Sequence, residues 1–228
     1  MAGFDWSSVQ LVVFDVDGTL YRQKPLRWTM LRMLARDALA SRSPRTLKVL
    51  ADYRREREAL ADDGVEDFDA KLIAGVAART RLAPAVVEGI VADWIETRPL
   101  PHLRRAMVTG APALFEALRR SGRTIGVLSD YPAVAKIAAL GLEANHIVAA
   151  RDVGLMKPSA RGLLAVIAAA GASPAATVMI GDRDERDGAA ADAAGVRVLL
   201  RSSPPVAGRV TFADFTDPVF APLLAGTA

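Results

Sequence analysis

Residues 11–20 read LVVFDVDGTL: four consecutive apolar residues, two aspartates one residue apart, and then Gly-Thr. A short apolar run that stops at turn-forming residues reads as a strand buried on both faces. The strand candidate spans Val9 to Phe14, and the acidic turn at its end decides the fold. Side chains alternate along a strand, so Asp15 and Asp17 leave its tip on the same side, and Gly18 lets the chain turn sharply. Two carboxylates this close repel unless a cation or a proton intervenes, and two such groups split their pKa values. The pair therefore points to a metal site, a proton-transfer dyad, or both. An EF-hand Ca²⁺ loop is a poor match, because the third acid and the terminal glutamate are missing.

Working outward, four more apolar runs end in turn or charged residues: Thr124 to Leu128, His146 to Ala149, Thr177 to Ile180 and Val196 to Leu200. Helical patterns separate them, at Ala111 to Ser121, Ala133 to Leu140, Ala160 to Ala170 and Gly188 to Ala194. Strands that alternate with helices predict a doubly wound parallel α/β sheet, since parallel strands need crossovers and right-handed crossovers lay helices on the sheet. Residues 21–109 break the rhythm with helical segments only, and Gly64 marks a helix stop. This is a helical insertion after the first strand. It is well placed to meet a ligand, because open α/β sheets bind ligands beyond the carboxyl ends of their strands.

Composition excludes several classes. The 228 residues, 51% of them hydrophobic, can bury one good core plus a small module. Without cysteine there is no disulfide, thiolate zinc site or cysteine nucleophile. The N-terminal stretch MAGFDWSSVQ lacks the pattern of a secretory leader, and no apolar stretch approaches the roughly 18–20 residues of a membrane span, so the expected location is the cytoplasm. The net charge of +3 comes from an excess of five positive charges between Arg22 and Arg105. Acids interleave those arginines, which reads as a solvated helical surface rather than a nucleic-acid face. Neither nucleic acid, membrane nor an obligate protein partner is expected.

Three further stretches fall at strand ends. In VLSDYP, Ser129 precedes Pro132, which suits the first turn of a helix; a hydroxyl and free N–H groups there can hold an anion, while the alternative for Ser129 or Asp130 is a plain helix cap. In VGLMKPS, Lys157 stands just before a helix starting near Ser159, where it can neutralise a phosphate or an aspartate or simply face solvent. In VMIGDRDERDG, Asp182 ends a strand and Asp187 comes five residues later; a carboxylate here, beside the one from the first strand, can complete an oxygen-ligand site for Mg²⁺. Asp184 and Glu185 are read as solvent-facing partners of Arg183 and Arg186.

The order and strand-end placement of DxDGT, Ser, Lys and GDxxxxD resemble the haloacid dehalogenase superfamily, in particular its C1-capped phosphoglycolate phosphatase and β-phosphoglucomutase-like group. The resemblance implies a Rossmann-like core at residues 7–20 and 108–220 with an α-helical C1 cap at 21–107. It also implies that Asp15 attacks phosphorus to form an aspartyl-phosphate, and that Asp17 protonates the leaving oxygen and later activates water. Ser129 and Lys157 would hold phosphoryl oxygens, with Gly18, Thr19 and Asp130 lining the cradle. Mg²⁺ would be bound by Asp15, the backbone carbonyl of Asp17, and Asp182, supported by Asp187. Members that cleave carbon–halogen bonds lack the second aspartate, so Asp17 favours phosphoryl chemistry on a small phosphorylated metabolite. Asp130 departs from the asparagine of many relatives; a carboxylate beside a dianionic phosphate is repulsive, so Asp130 is expected to point away, cap the following helix or contact a cationic part of the substrate. Tyr21 and Arg22, where the chain leaves the first motif, are candidate substrate contacts; hinge packing and surface charge are the alternative. A phosphomutase on a sugar phosphate would share these residues. A non-catalytic or regulatory phospho-aspartate module is the competing class.

Overall fold

A computed structural model describes residues 4–227, so the first three residues of the stretch read for a leader lie outside it. Strand β1 (Leu11–Phe14) is fully buried and occupies the middle of a six-stranded parallel sheet. The chain leaves it into five helices: α1 (Gln23–Ser41), α2 (Arg45–Asp62), α3 (Phe68–Thr80), α4 (Pro84–Val91), which continues through widened turns at Ala92–Thr97, and α5 (Leu100–Ala106). It then alternates through α6 (Ala111–Arg120), β2 (Thr124–Ser129), α7 (Val134–Leu140), β3 (His146–Ala149), α8 (Ala150–Val153), α9 (Arg161–Ala169), β4 (Thr177–Gly181), α10 (Ala189–Ala194), β5 (Arg197–Arg201), β6 (Val210–Phe212) and α11 (Ala221–Leu224).

The sheet order is β3-β2-β1-β4-β5-β6, with every neighbour parallel. The connections run one way from β1 through β2 to β3 and the other way through β4, which makes the carboxyl end of β1 the switch point where such sheets bind ligands. Alternation along β1 divides the core. Val12 and Phe14 pack with Phe115, Phe215 and Phe220 on one face. Leu11 and Val13 pack with Leu163, Val166 and Met179 on the other. Burial on both faces is why the run reads as continuously apolar.

Several sequence expectations shift by a residue or two. Val9 lies in a turn, its N–H donating to the Trp6 carbonyl, so β1 begins at Leu11 rather than Val9. The helix after β2 begins at Val134, one residue after Ala133 and two after Pro132, because the chain bends at Asp130 and Tyr131 before it starts. A sixth strand, β6, was not expected; Phe212 enters an aromatic cluster with Phe215 and Phe220, at centroid distances of 5.4 and 4.9 Å, that anchors the segment. The stop at Gly64 is observed: α2 ends at Asp62, and Gly64 takes a φ of +60° that side chains disfavour.

Helices α2, α3 and α4 have a core of their own, in which Val49, Tyr53, Phe68, Leu72, Val76 and Val87 pack together and reach Ala150 and Met156, whereas Leu26 and Met30 of α1 and Leu103 and Ala106 of α5 join the core under the sheet. The chain's two passages into and out of this insertion run side by side: the Arg22 N–H donates to Ala106, and the Val108 N–H to Leu20, at 2.8 and 2.9 Å. Among the described residues no helix is long and apolar enough to cross a membrane.

Candidate active site

The tips of β1, β2 and β4, with the loop before α9, bring Asp15, Asp17, Ser129, Lys157, Asp182 and Asp187 to one end of the sheet. Asp15 extends the ladder of β1, its N–H donating to Ile180 at 2.8 Å, and the residue is buried. Lys157, read from sequence as either a site residue or a surface one, is buried too. Its Nζ donates to Asp15 Oδ1 at 2.5 Å and to Asp187 Oδ1 at 2.6 Å. Asp187 is likewise buried, and its second oxygen accepts the N–H groups of Asp182 and Arg183, each at 3.0 Å. Asp187 is thus fully engaged in shaping the loop, whereas Asp15 Oδ2 is buried with no hydrogen-bond partner.

Charge is unbalanced here. Burial raises the Asp15 carboxyl well above its ordinary range, with Lys157 opposing and Asp187 and Asp182 adding to the rise. Burial and Asp187 push Asp182 up to about 6. Burial disfavours the Lys157 ammonium, yet the charges of Asp15 and Asp187 overcome it and raise its pKa well above the usual value. Each of the three carboxylates brings one oxygen within 4.8 Å of the others; Lys157 pairs with Asp15 and Asp187, and no ammonium or guanidinium pairs with Asp182 among the described residues. The orphaned Asp15 oxygen and the hard oxygen donors of Asp182 fit a small divalent cation such as Mg²⁺. Gly18 makes room for this arrangement: its φ is +114°, and a Cβ there would collide with the Asp182 carboxylate.

Asp17 faces a different partner set. Lys136, from α7, donates to both of its oxygens at 2.6 and 2.7 Å, the Tyr21 hydroxyl donates to Oδ1, and Ser129 Oγ lies 3.5 Å from Oδ2. Burial alone would raise the Asp17 pKa; the Lys136 charge and hydrogen bond, with the Tyr21 bond, reverse the sign and hold it below the ordinary carboxylate value. Its backbone carbonyl accepts from the Gln23 amide. The Thr19 hydroxyl is fully buried and, like Asp15 Oδ2, has no hydrogen-bond partner.

Some expectations change. Asp130 caps no helix and its carboxylate is turned to protein: Oδ1 accepts the Lys157 N–H at 3.1 Å and Oδ2 lies 3.6 Å from Arg183, which keeps it off an incoming anion. Arg22 is exposed and contributes its backbone to the passage into α1, while Tyr21 is buried and occupied by Asp17. Asp184 pairs with Arg209 rather than with its neighbours, because the turn after β4 directs Arg183 and Arg186 towards α2 instead. There Glu58 meets both arginines, at 3.4 and 2.9 Å, and Asp62 also meets Arg186. Arg57 of α2 donates to the Asp130 carbonyl and lies over the Tyr131 ring at 4.1 Å. Sequence reading missed Lys136, Arg57, Gln23 and Arg201, whose Nε donates to the Gly18 carbonyl at 2.7 Å.

Sheet order, strand-tip carboxylates and a helical insertion over them define a Rossmann-like α/β protein with an acidic, cation-receptive centre at its switch point. The chain belongs to the haloacid dehalogenase-like hydrolases, whose family model matches residues 9–195. It superimposes on a 2-haloacid dehalogenase from Pseudomonas syringae pv. tomato DC3000 with a TM-score of 0.65 at 22% identity, covering 96% of this chain and 100% of that one. An HAD phosphatase from Thermococcus onnurineus gives 0.67 at 20% identity, over 96% and 99% of the two chains. A magnesium-bound HAD-hydrolase from Bacillus subtilis, YfnB, gives 0.68 at 16%, over 94% and 98%. At these identities the likeness is one of fold. No curated protein matches the sequence.

Proposed function

We propose that the chain is a Mg²⁺-dependent phosphomonoester hydrolase acting on a small phosphorylated metabolite through an aspartyl-phosphate on Asp15. The observation that carries this reading is the pairing of two unlike carboxylates at one strand tip: Asp15 with a free buried oxygen beside the acidic cluster, and Asp17 held apart from it by its own cation. Release of halide needs no proton donor, so an acid–base carboxyl two residues from the nucleophile has a role in phosphate-ester cleavage and little in dehalogenation.

A bound Mg²⁺ would be held by Asp15 and Asp182 and would supply charge neutralisation for the incoming phosphate. Lys157 holds the Asp15 carboxylate by one oxygen and so fixes its orientation at the strand tip. Ser129 and Thr19 present hydroxyls to the phosphoryl oxygens, and Asp17, a carboxylate in the free protein, carries a proton brought in by the phosphate monoanion to the departing oxygen before taking one from water. Splitting one displacement into two is the gain of covalent catalysis. Helix α2, seated over the strand tips through Arg57, Glu58 and Asp62, keeps bulk water from the intermediate.

The test is phosphate release from an aryl phosphate with and without Mg²⁺. Activity should require the metal, and Asp15→Asn should abolish it, by more than about 10⁴-fold, because the amide that replaces the carboxylate is not a nucleophile. Undiminished turnover in that variant would remove Asp15 from the role. Isomerisation of a sugar phosphate without free phosphate would place the chain among the mutases, and absence of any turnover by the wild type would favour a regulatory module.

A further inference from the structure

Lys136 is 4% exposed, on a helix whose other inward residues, Ile137 and Leu140, are apolar. Packing does not call for an ammonium there, and burying one costs several kcal/mol before its partner offsets it. The charge serves a single side chain: Nζ bridges both oxygens of Asp17, at 2.6 and 2.7 Å, and lies 5.0 Å from the centroid of the Tyr131 ring. Tyr21 approaches the same carboxyl at Oδ1. The other ammonium at these strand tips, Lys157, pairs with Asp15 and Asp187, so each of the two aspartates of the first motif has a lysine of its own.

We propose that Lys136 is a positioning residue that clamps the Asp17 carboxyl where it meets the leaving oxygen, holding it away from Asp15 and Lys157. The inference rests on the phosphomonoesterase reading. In the first step the phosphate monoester arrives as the monoanion and passes its proton to the Asp17 carboxylate; an Asp15 oxygen then bonds to phosphorus, the ester P–O bond breaks, and that proton passes from Asp17 to the departing oxygen. In the second, a water oxygen bonds to phosphorus, its proton passes to Asp17, and the bond from Asp15 breaks. Both transfers demand the same carboxyl oxygen in the same place, and displacement of a reacting group by about 1 Å costs on the order of 10²-fold. A bidentate ammonium fixes both oxygens, which one hydroxyl cannot do.

Leaving-group dependence separates this role from a merely structural one. kcat/KM reports only the transfer to Asp15, and a nitrophenolate leaves with little need of a proton whereas an alkoxide needs one. The experiment measures kcat and kcat/KM for p-nitrophenyl, phenyl and glycerol phosphates with Mg²⁺, in wild type, Lys136→Met, Lys136→Gln, Asp17→Asn and the double variant Asp17→Asn/Lys136→Met. Lys136→Met is expected to lower kcat/KM for glycerol phosphate about 10²-fold and for p-nitrophenyl phosphate less than about threefold. In the Asp17→Asn background the same substitution is expected to leave kcat on p-nitrophenyl phosphate unchanged. Lys136→Gln, which keeps a polar end, serves the same comparison should the methionine variant fail to fold. Equal losses on all three esters, or losses that add to those of Asp17→Asn, would overturn the clamp while leaving the phosphatase reading intact. Wild type inactive on all three esters would overturn both.

Discussion

Two sets of ion pairs flank the strand tips, and they differ in burial far more than in length. Below, Lys157 reaches Asp15 and Asp187 at 2.5 and 2.6 Å with side chains no more than 7% exposed. Above, Arg186 reaches Glu58 of α2 at 2.9 Å, but Glu58 is 55% and Asp62 69% exposed. Distance alone would rank them together. Water decides otherwise, because an exposed acid loses little when its partner goes, whereas a buried one is left without solvent or counter-charge. The lower set therefore defines the site and the upper set only seats the insertion over it.

Lys157→Met tests the lower set at full strength. It leaves two buried carboxylates unpaired, and breaking such a pair costs about 3–5 kcal/mol. For a chain of this size the melting temperature should fall by about 10 °C. Added Mg²⁺ should recover more of that loss than it adds to the wild type, since it replaces part of the missing positive charge. A variant that melts within about 2 °C of wild type in the absence of metal would break the contrast between buried and exposed pairs.

Gly18→Ala probes the same floor more gently. The backbone at φ +114° disfavours any side chain, and the new methyl would meet Asp182. A strain of about 1–3 kcal/mol is expected. Because Asp182 must turn aside, Mg²⁺ binding by calorimetry should weaken by more than the stability change alone explains. An unchanged affinity would separate Asp182 from the cation site and blunt the role given to this glycine.

The floor of the site was legible in the sequence for the same reason that it is buried. Asp15, Asp17, Ser129, Lys157, Asp182 and Asp187 come after strand ends or precede a helix, and a parallel sheet gathers all such ends at one edge. Lys136 lay beyond that logic. In AVAKIAAL it reads as the polar face of an alanine-rich helix, and only the three-dimensional position of α7 over Asp17 reveals that this face looks inward. The partners of Arg183 and Arg186 were misread by assuming neighbours in sequence, when the turn after β4 sends both towards α2. Strand β6 escaped because three residues give period-two patterning almost nothing to act on.

The upper set should yield the smallest effect, and its smallness is informative. Glu58→Gln removes one of the two acids facing Arg186 while Asp62 and the Lys157 carbonyl, 3.1 Å from Arg186 Nη1, remain. Arg186 is buried, but the exposed Glu58 carboxylate keeps much of its water while paired, and Asp62 and Lys157 still meet the guanidinium, so the loss should stay near the ~1 kcal/mol of pairs with an exposed member and the melting temperature should change by no more than about 2–4 °C. Salt sharpens the comparison. With the Debye length near about 3 Å at 1 M, the difference between Glu58→Gln and wild type should vanish in 1 M monovalent salt, while the deficit of Lys157→Met should persist there because buried charges are screened much less. A salt-resistant loss at Glu58 would mean that α2 seals its interface against water more tightly than the exposure of its acids indicates.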